Sequence, residues 1–182
     1  MNEYYIDSKD IRQICPRLRV GDRVFLSGEV YTARDAAHKR IFEIIENGES
    51  LPFNIKDAVI YYAGPTPTPE GMAIGSCGPT TSSRMDIYTP LLLKLGLAAT
   101  IGKGERSIAV KRAIKENCSV YLCAIGGAGA LAAKHIIKNE VIAMSDLGCE
   151  SVKRLTLDKF PLIVGIDSNG NDIFKLSYPC RR

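Results

Sequence analysis

Residues 76–86 read Ser76-Cys77-Gly78-Pro79-Thr80-Thr81-Ser82-Ser83-Arg84-Met85-Asp86. Gly78-Pro79 interrupts regular structure and sets a fixed turn. Thr80 to Ser83 then offer hydroxyls and backbone N–H groups at the start of a predicted helix over Asp86 to Leu95, with Met85, Ile87, Leu91, Leu92, Leu93 and Leu95 as apolar content. Free N–H groups beside a guanidinium suit an anionic ligand. A Ser/Thr helix cap next to a solvated arginine fits the same residues. The stretch alone leaves both readings open.

Working outward, apolar runs and turn signals alternate. Residues 22–32 predict a pair of strands, with Val24 and Leu26 set against Phe25 and Ser27. Helical spacing follows over Arg34 to Asn47, closed by Gly48. Ala58 to Ala63 predicts a short buried strand running into the proline-rich loop 64–71, a candidate lid or partner contact. Further strands are predicted at Leu97 to Ile101, Ser119 to Ala124, Val141 to Met144, Val152 to Leu157 and Pro161 to Asp167. Helices are predicted over Ser107 to Glu116 and from the Gly126-Gly127-Ala128-Gly129-Ala130 run through Lys138. Strands alternating with helices argue for an α/β domain with much parallel pairing. Periodicity does not choose among the sheet types of that class.

Composition bounds the function. The chain has 182 residues, 46% hydrophobic and 24% charged, which fits one soluble domain with a real core; residues 1–20 read as an adaptor segment. A net charge of +4 suits anionic metabolites, and no basic patch interleaved with aromatics points to nucleic acid. No apolar window approaches the ~20 residues of a membrane span, and the N-terminus lacks the regions of a signal peptide. A cytoplasmic protein is the simplest expectation. Cys15, Cys77, Cys118, Cys123, Cys149 and Cys180 contain no Cys-x-x-Cys, so no self-contained metal site is predicted. Cys77 is singled out by its place beside the candidate site.

Three cations follow predicted strand ends. Arg34 opens a helix, Arg84 follows the Gly-Pro turn, and Lys103 stands between Gly102 and Gly104. In α/β sheets such positions converge at one edge, where ligands bind. Arginine grips a carboxylate with two parallel N–H groups and lysine adds a point charge. Asp35 and His38 are three residues apart and can pair across a helical turn, with His38 a surface residue, a residue backing the site, or a proton relay. Thr81 reads as structural, capping the helix or ordering the loop. Asp146 and Glu150 form an acidic pair that orients basic residues, touches a partner or is simply solvated. The run at 126–130 departs from Gly-x-Gly-x-x-Gly and reads as close packing rather than a dinucleotide site.

Gly78-Pro79-Thr80-Thr81-x-x-Arg84-Met85-Asp86 resembles the signature of the C-terminal domain of iron–sulfur (class I) fumarases, which is also the β subunit of two-subunit fumarases and L-tartrate dehydratases. Ala33-Arg34-Asp35-Ala36-Ala37-His38-Lys39-Arg40, Ile101-Gly102-Lys103-Gly104-Glu105-Arg106 and Asp146-Leu147-Gly148-x-Glu150 agree with it in the same order. The similarity runs from about residue 15 to about residue 175.

The resemblance implies a swivelling β/β/α domain over residues 1–182. It implies the β subunit of a hydro-lyase that hydrates fumarate to L-malate, inactive without its α subunit. By motif position, Thr80 is the catalytic base with Arg84 beside it, and Arg34, Arg84 and Lys103 bind the dicarboxylate. A 4Fe-4S cluster is implied on the partner α subunit, in a heterotetramer. Fumarate is favoured over tartrate because residues 34–40 and 84–86 look more like the fumarase sequences. The alternatives are an L-tartrate dehydratase β subunit and a non-catalytic anion-binding module of the same fold.

Overall fold

Residues 1–176 are described by the structure, a computed structural model; Cys180 lies outside them. The elements in chain order are β1 (Glu3–Asp7), α1 (Ile11–Ile14), β2 (Arg23–Thr32), α2 (Asp35–Glu46), β3 (Val59–Tyr61), α3 (Thr89–Lys94), β4 (Ala99–Gly102), α4 (Ile108–Glu116), β5 (Val120–Cys123), α5 (Gly129–Ala133), β6 (Ile136–Ala143) and β7 (Val152–Ile166). Strands β2, β3, β4 and β5 pair in parallel in that order. β7 then pairs antiparallel with both β5 and β2, which closes the sheet into a barrel. β1 extends the N-terminal half of β2, and β6 extends the N-terminal half of β7.

Alternation along the parallel strands divides the apolar residues between two cores. Val59 and Tyr61, Ala99 and Ile101, and Val120 and Leu122 face the barrel interior with Val24, Leu26 and Leu155. The intervening Ile60, Tyr62 and Tyr121 pack outward against Ile41 of α2, Leu92 of α3 and Val110 of α4. Successive side chains on a strand point to opposite faces, so a strand buried on both faces reads as a continuous apolar run. That is why these strands were legible as runs rather than as alternating patterns.

The last strand differs from its expectation. Val152 to Leu157 and Pro161 to Asp167 read as two strands, and they are halves of the single β7. From Lys153 to Leu157 the buried side chains sit at odd positions, and from Phe160 to Ile166 at even ones. The register slips there, with Leu26 opposite Phe160 and Gly28 opposite Leu157, and Lys159 adopts φ 47°. One extra residue bulges out and flips the parity without ending the strand. The expected strand pair at 22–32 is likewise a single strand, β2.

Two helix expectations are also corrected. The helix expected through Lys138 stops at Ala133, and Ile136 begins β6. Residues 82–85 form a 3-10 turn, and α3 begins only at Thr89 with a proline at its start. The N-terminal segment pairs β1 with β2 and buries Ile6, Ile11, Cys15 and Leu18 in the barrel core. No helix among the described residues is long and apolar enough to cross a membrane.

Candidate functional site

The three expected cations follow the C-terminal ends of β2, β3 and β4. β2 leads through Ala33 into Arg34, whose extended backbone precedes α2. β4 leads directly into Lys103. The chain leaving β3 makes a loop over residues 64–79, tied at its base by Thr66 N–H to Ser76 O and Ser76 N–H to Thr66 Oγ1. It returns beside β3, where Thr80 N–H donates to Tyr62 O at 2.7 Å. Lys103 N–H then donates to Thr80 O at 3.3 Å, and Ser82 N–H donates to Lys103 O at 2.9 Å. Thr80, Thr81 and Lys103 are therefore held side by side through their backbones. Gly102 makes this possible: a Cβ there would meet Tyr62 Cδ2 at 2.9 Å and collide with Ser82 Oγ.

Asp35 joins the two arginines. Its Oδ2 lies 3.3 Å from Arg34 Nε and 2.8 Å from Arg84 Nη2. Glu150 lies on the other side of Arg34, with Oε1 3.4 Å from Nε and Oε2 accepting Ala36 N–H at 2.8 Å. Both carboxylates sit at the N-terminus of α2, where the helix dipole favours negative charge. Arg34 spends only Nε on them; Nη1 and Nη2 make no hydrogen bond within the described residues. Arg84 stays half-exposed, and neither Lys103 Nζ nor Thr80 Oγ1 has a polar partner among the described residues. Lys103 instead lies along Gly126, where a Cβ would come within 3.2 Å of Lys103 Cδ. The glycine run at 126–130 thus makes room for Lys103 and for the 76–78 loop, with Cys77 N–H donating to Gly129 O.

A buried network lies beneath this edge. Arg106, with no exposed side-chain surface, pairs with Asp86 at 2.6 Å and donates to Thr89 Oγ1 and Thr100 Oγ1. Its guanidinium carbon lies 5.3 Å from the Tyr62 ring centroid and 5.0 Å from that of Tyr121. Asp86 also accepts Ser107 N–H, which fixes the start of α4. Ser82 Oγ, Tyr121 OH and Gly104 O form a short hydrogen-bonded chain under the loops bearing Thr80 and Lys103. Asp86 and Arg106 stand in the sequence motifs, but no pattern in the sequence marks them as partners.

Several expectations resolve here. Asp35 pairs with arginines rather than with His38. His38 is wholly buried, its Nδ1 3.2 Å from Arg34 O, and burial lowers its pKa to about 4. It is not a surface residue; it backs the site from inside, against the backbone of Arg34. Thr81 makes no capping bond. Asp146 holds Arg40 through two bonds of 2.8 and 2.6 Å, and Glu150 holds Arg34, so the acidic pair orients basic residues. Cys77 is buried and its thiol pKa is pushed up to about 12, which makes it a poor nucleophile. Lys153 was not legible as part of the site; it is 6% exposed and packs under the turn carrying Glu150.

No three His, Cys, Asp or Glu side chains among the described residues are placed to hold a metal. Cys15 and Cys77 are buried, while Cys118 and Cys149 are exposed, so these thiols do not fit an iron–sulfur cluster. A cavity of about 540 Å³ opens beside Val59 at the opposite end of β3 and is lined by Asp7, Glu29 and Lys56 rather than by Arg34, Arg84 or Lys103.

The fold and site define a cationic, hydroxyl-bearing edge on a closed mixed α/β barrel. The family model described as Fumarase C-terminus matches residues 2–177, and the chain belongs to that family. Fumarate hydratase 2 of Leishmania major is 44% identical over 166 residues, covering 90% of this chain and 29% of the relative. The aerobic class I fumarate hydratase of Escherichia coli K12 is 41% identical over 169 residues, covering 92% of this chain and 31% of the relative. The chain thus spans about three tenths of these fumarate hydratases. A putative L(+)-tartrate dehydratase subunit beta of Methanocaldococcus jannaschii is 38% identical over 176 residues, covering 93% of this chain and 88% of that protein.

Proposed function

We propose that this chain is the β-type half of a two-subunit hydro-lyase acting on a four-carbon dicarboxylate, with fumarate and L-malate as the substrate pair. Arg34, Arg84 and Lys103 bind the carboxylates, and the Thr80 hydroxyl moves the proton at the carbon next to one of them. The single observation that carries this reading is the set of unspent donors at one sheet edge. Arg34 keeps Nη1 and Nη2, and Thr80 keeps its hydroxyl, while Asp35 and Glu150 hold the inner side of Arg34. Two carboxylates on a flat four-carbon substrate need such separated cations.

Hydration also needs an activated water or hydroxyl, and the described residues offer no metal-binding set for it. In this proposal a 4Fe-4S cluster on a separate α subunit supplies that activation, and the assembly is a heterotetramer. The finer fold type, a swivelling β/β/α domain, belongs to the same reading. Support comes from the parallel strands, which pack a barrel core on one face and helices on the other. The M. jannaschii relative, a β subunit of nearly the same extent, favours L-tartrate as the second candidate substrate.

The test is anaerobic fumarate hydration by this chain alone and with a candidate cluster-bearing partner. Activity only in the mixture is expected. An intact, cluster-loaded complex that turns over L-tartrate but not fumarate moves the substrate. A chain that forms no complex with such a partner is an anion-binding module, and the hydro-lyase reading fails.

A further inference from the structure

Lys153 is a buried lysine with no carboxylate in ion-pair range among the described residues. Its Nζ instead donates to four oxygens of one short segment: Ser151 Oγ at 2.5 Å, Gly148 O at 3.1 Å, Cys149 O at 3.2 Å and Ser151 O at 3.3 Å. A buried ammonium without a counter-ion is costly unless such groups replace its water. All four oxygens flank Glu150, the residue that accepts Ala36 N–H and ion-pairs with Arg34 Nε.

The segment needs a restraint. Gly148 interrupts it at φ 57°, ψ −116°, and Met144 before it is also left-handed. Ser151 Oγ–H closes the turn on Gly148 O at 2.7 Å. The Thr32 hydroxyl, at the end of the strand that leads to Arg34, donates to Ser151 O and accepts Lys153 N–H. The turn also lies against the arginine itself. A Cβ on Gly64 would meet both Arg34 Nη1, at 2.9 Å, and Cys149 O, at 3.2 Å.

We propose that Lys153 is a positioning residue for substrate binding: by gathering the 148–151 oxygens it fixes the Glu150 carboxylate, which aims the Arg34 guanidinium at the substrate. This rests on the reading of Arg34 as a carboxylate-binding residue. Lys153 touches neither substrate nor reacting atoms.

The test compares wild type, Lys153→Met, Glu150→Gln and the double variant, each as the full chain and in complex with the cluster-bearing partner. Lys153→Met is expected to raise KM about tenfold, the scale of one charge-assisted hydrogen bond, with kcat within about twofold. The double variant should be no worse than Glu150→Gln, because both act through one contact. An activity-independent readout is the Arg34 Nε–H resonance of the ¹⁵N-labelled chain, which should shift alike in Lys153→Met and Glu150→Gln. A lower melting temperature with an unmoved Arg34 resonance and unchanged KM overturns the proposal and leaves Lys153 merely structural. Additive effects in the double variant also overturn it. Should Lys153→Met not fold, Ser151→Ala removes the 2.5 Å contact while keeping the charge, and the same resonance decides. If the wild-type complex shows no hydro-lyase activity, the functional reading fails, while the Arg34 resonance still tests the coupling.

Discussion

Acid should destabilise this protein through His38 in a way that a single substitution removes. His38 lies on α2 against the rings of Tyr62 and Tyr88, with centroids 5.3 and 5.7 Å away. A carbonyl can only accept, so the Nδ1 that faces Arg34 O carries the proton, and Nε2 is a buried acceptor without a partner among the described residues. Burial is the main cause that lowers its pKa from 6.5 to about 4; the Arg106 charge lowers it further, and the bond to Arg34 O opposes both. The folded state therefore prefers neutral His38, while the unfolded chain takes up a proton near pH 6.5. Stability present above pH 6.5 is lost as pH falls toward 4. The separation of the two pKa values corresponds to about 3 kcal/mol in total, with a slope of about 1 kcal/mol per pH unit near pH 5. The assay is urea unfolding of wild type and His38→Phe at about pH 7.5, 6 and 5. The offset at the highest pH reflects the lost bond against the relief of Nε2. The test lies in the difference between the two proteins, which should shift in favour of His38→Phe by about 2 kcal/mol as pH falls to about 5. Carboxylates common to both cancel. Parallel loss of stability in the two proteins would refute the argument.

Three further outcomes follow from the same geometry. Thr80→Val removes a hydroxyl at nearly constant size and should cut turnover by about 100-fold or more, with an unchanged melting temperature; near-normal turnover removes Thr80 from proton transfer. Asp86→Asn leaves the Arg106 guanidinium buried without its counter-charge, at a cost of about 3–5 kcal/mol and about 10 °C in melting temperature; a melting curve that does not move would show that the pair carries no such weight. Iodoacetamide on the native chain should label the exposed Cys118 and Cys149, while the buried Cys15 and Cys77 react only on unfolding. Peptide mass mapping reads this directly, and rapid native labelling of Cys77 would contradict its burial.

Sequence by itself determined the class of the fold and the family, and it marked the candidate site residues. Doubly buried strands announce themselves as apolar runs, Gly and Pro mark the turns between them, and the Gly-Pro-Thr-Thr-x-x-Arg and Gly-Lys-Gly segments keep their chemistry local. Tertiary structure alone decided what joins those segments. Barrel closure depends on β7 pairing across 120 or so residues of chain, and a one-residue bulge hides its continuity by flipping the parity of its buried side chains. Asp35 reaches Arg84, Glu150 reaches Arg34, and Asp86 reaches Arg106 across separations that no helical or strand period connects. His38 reads as polar and accessible by type, yet packing seals it. Lys153 gave no signal at all, because its partners are three backbone oxygens, which every residue carries, and one serine hydroxyl, all of which only the fold can place.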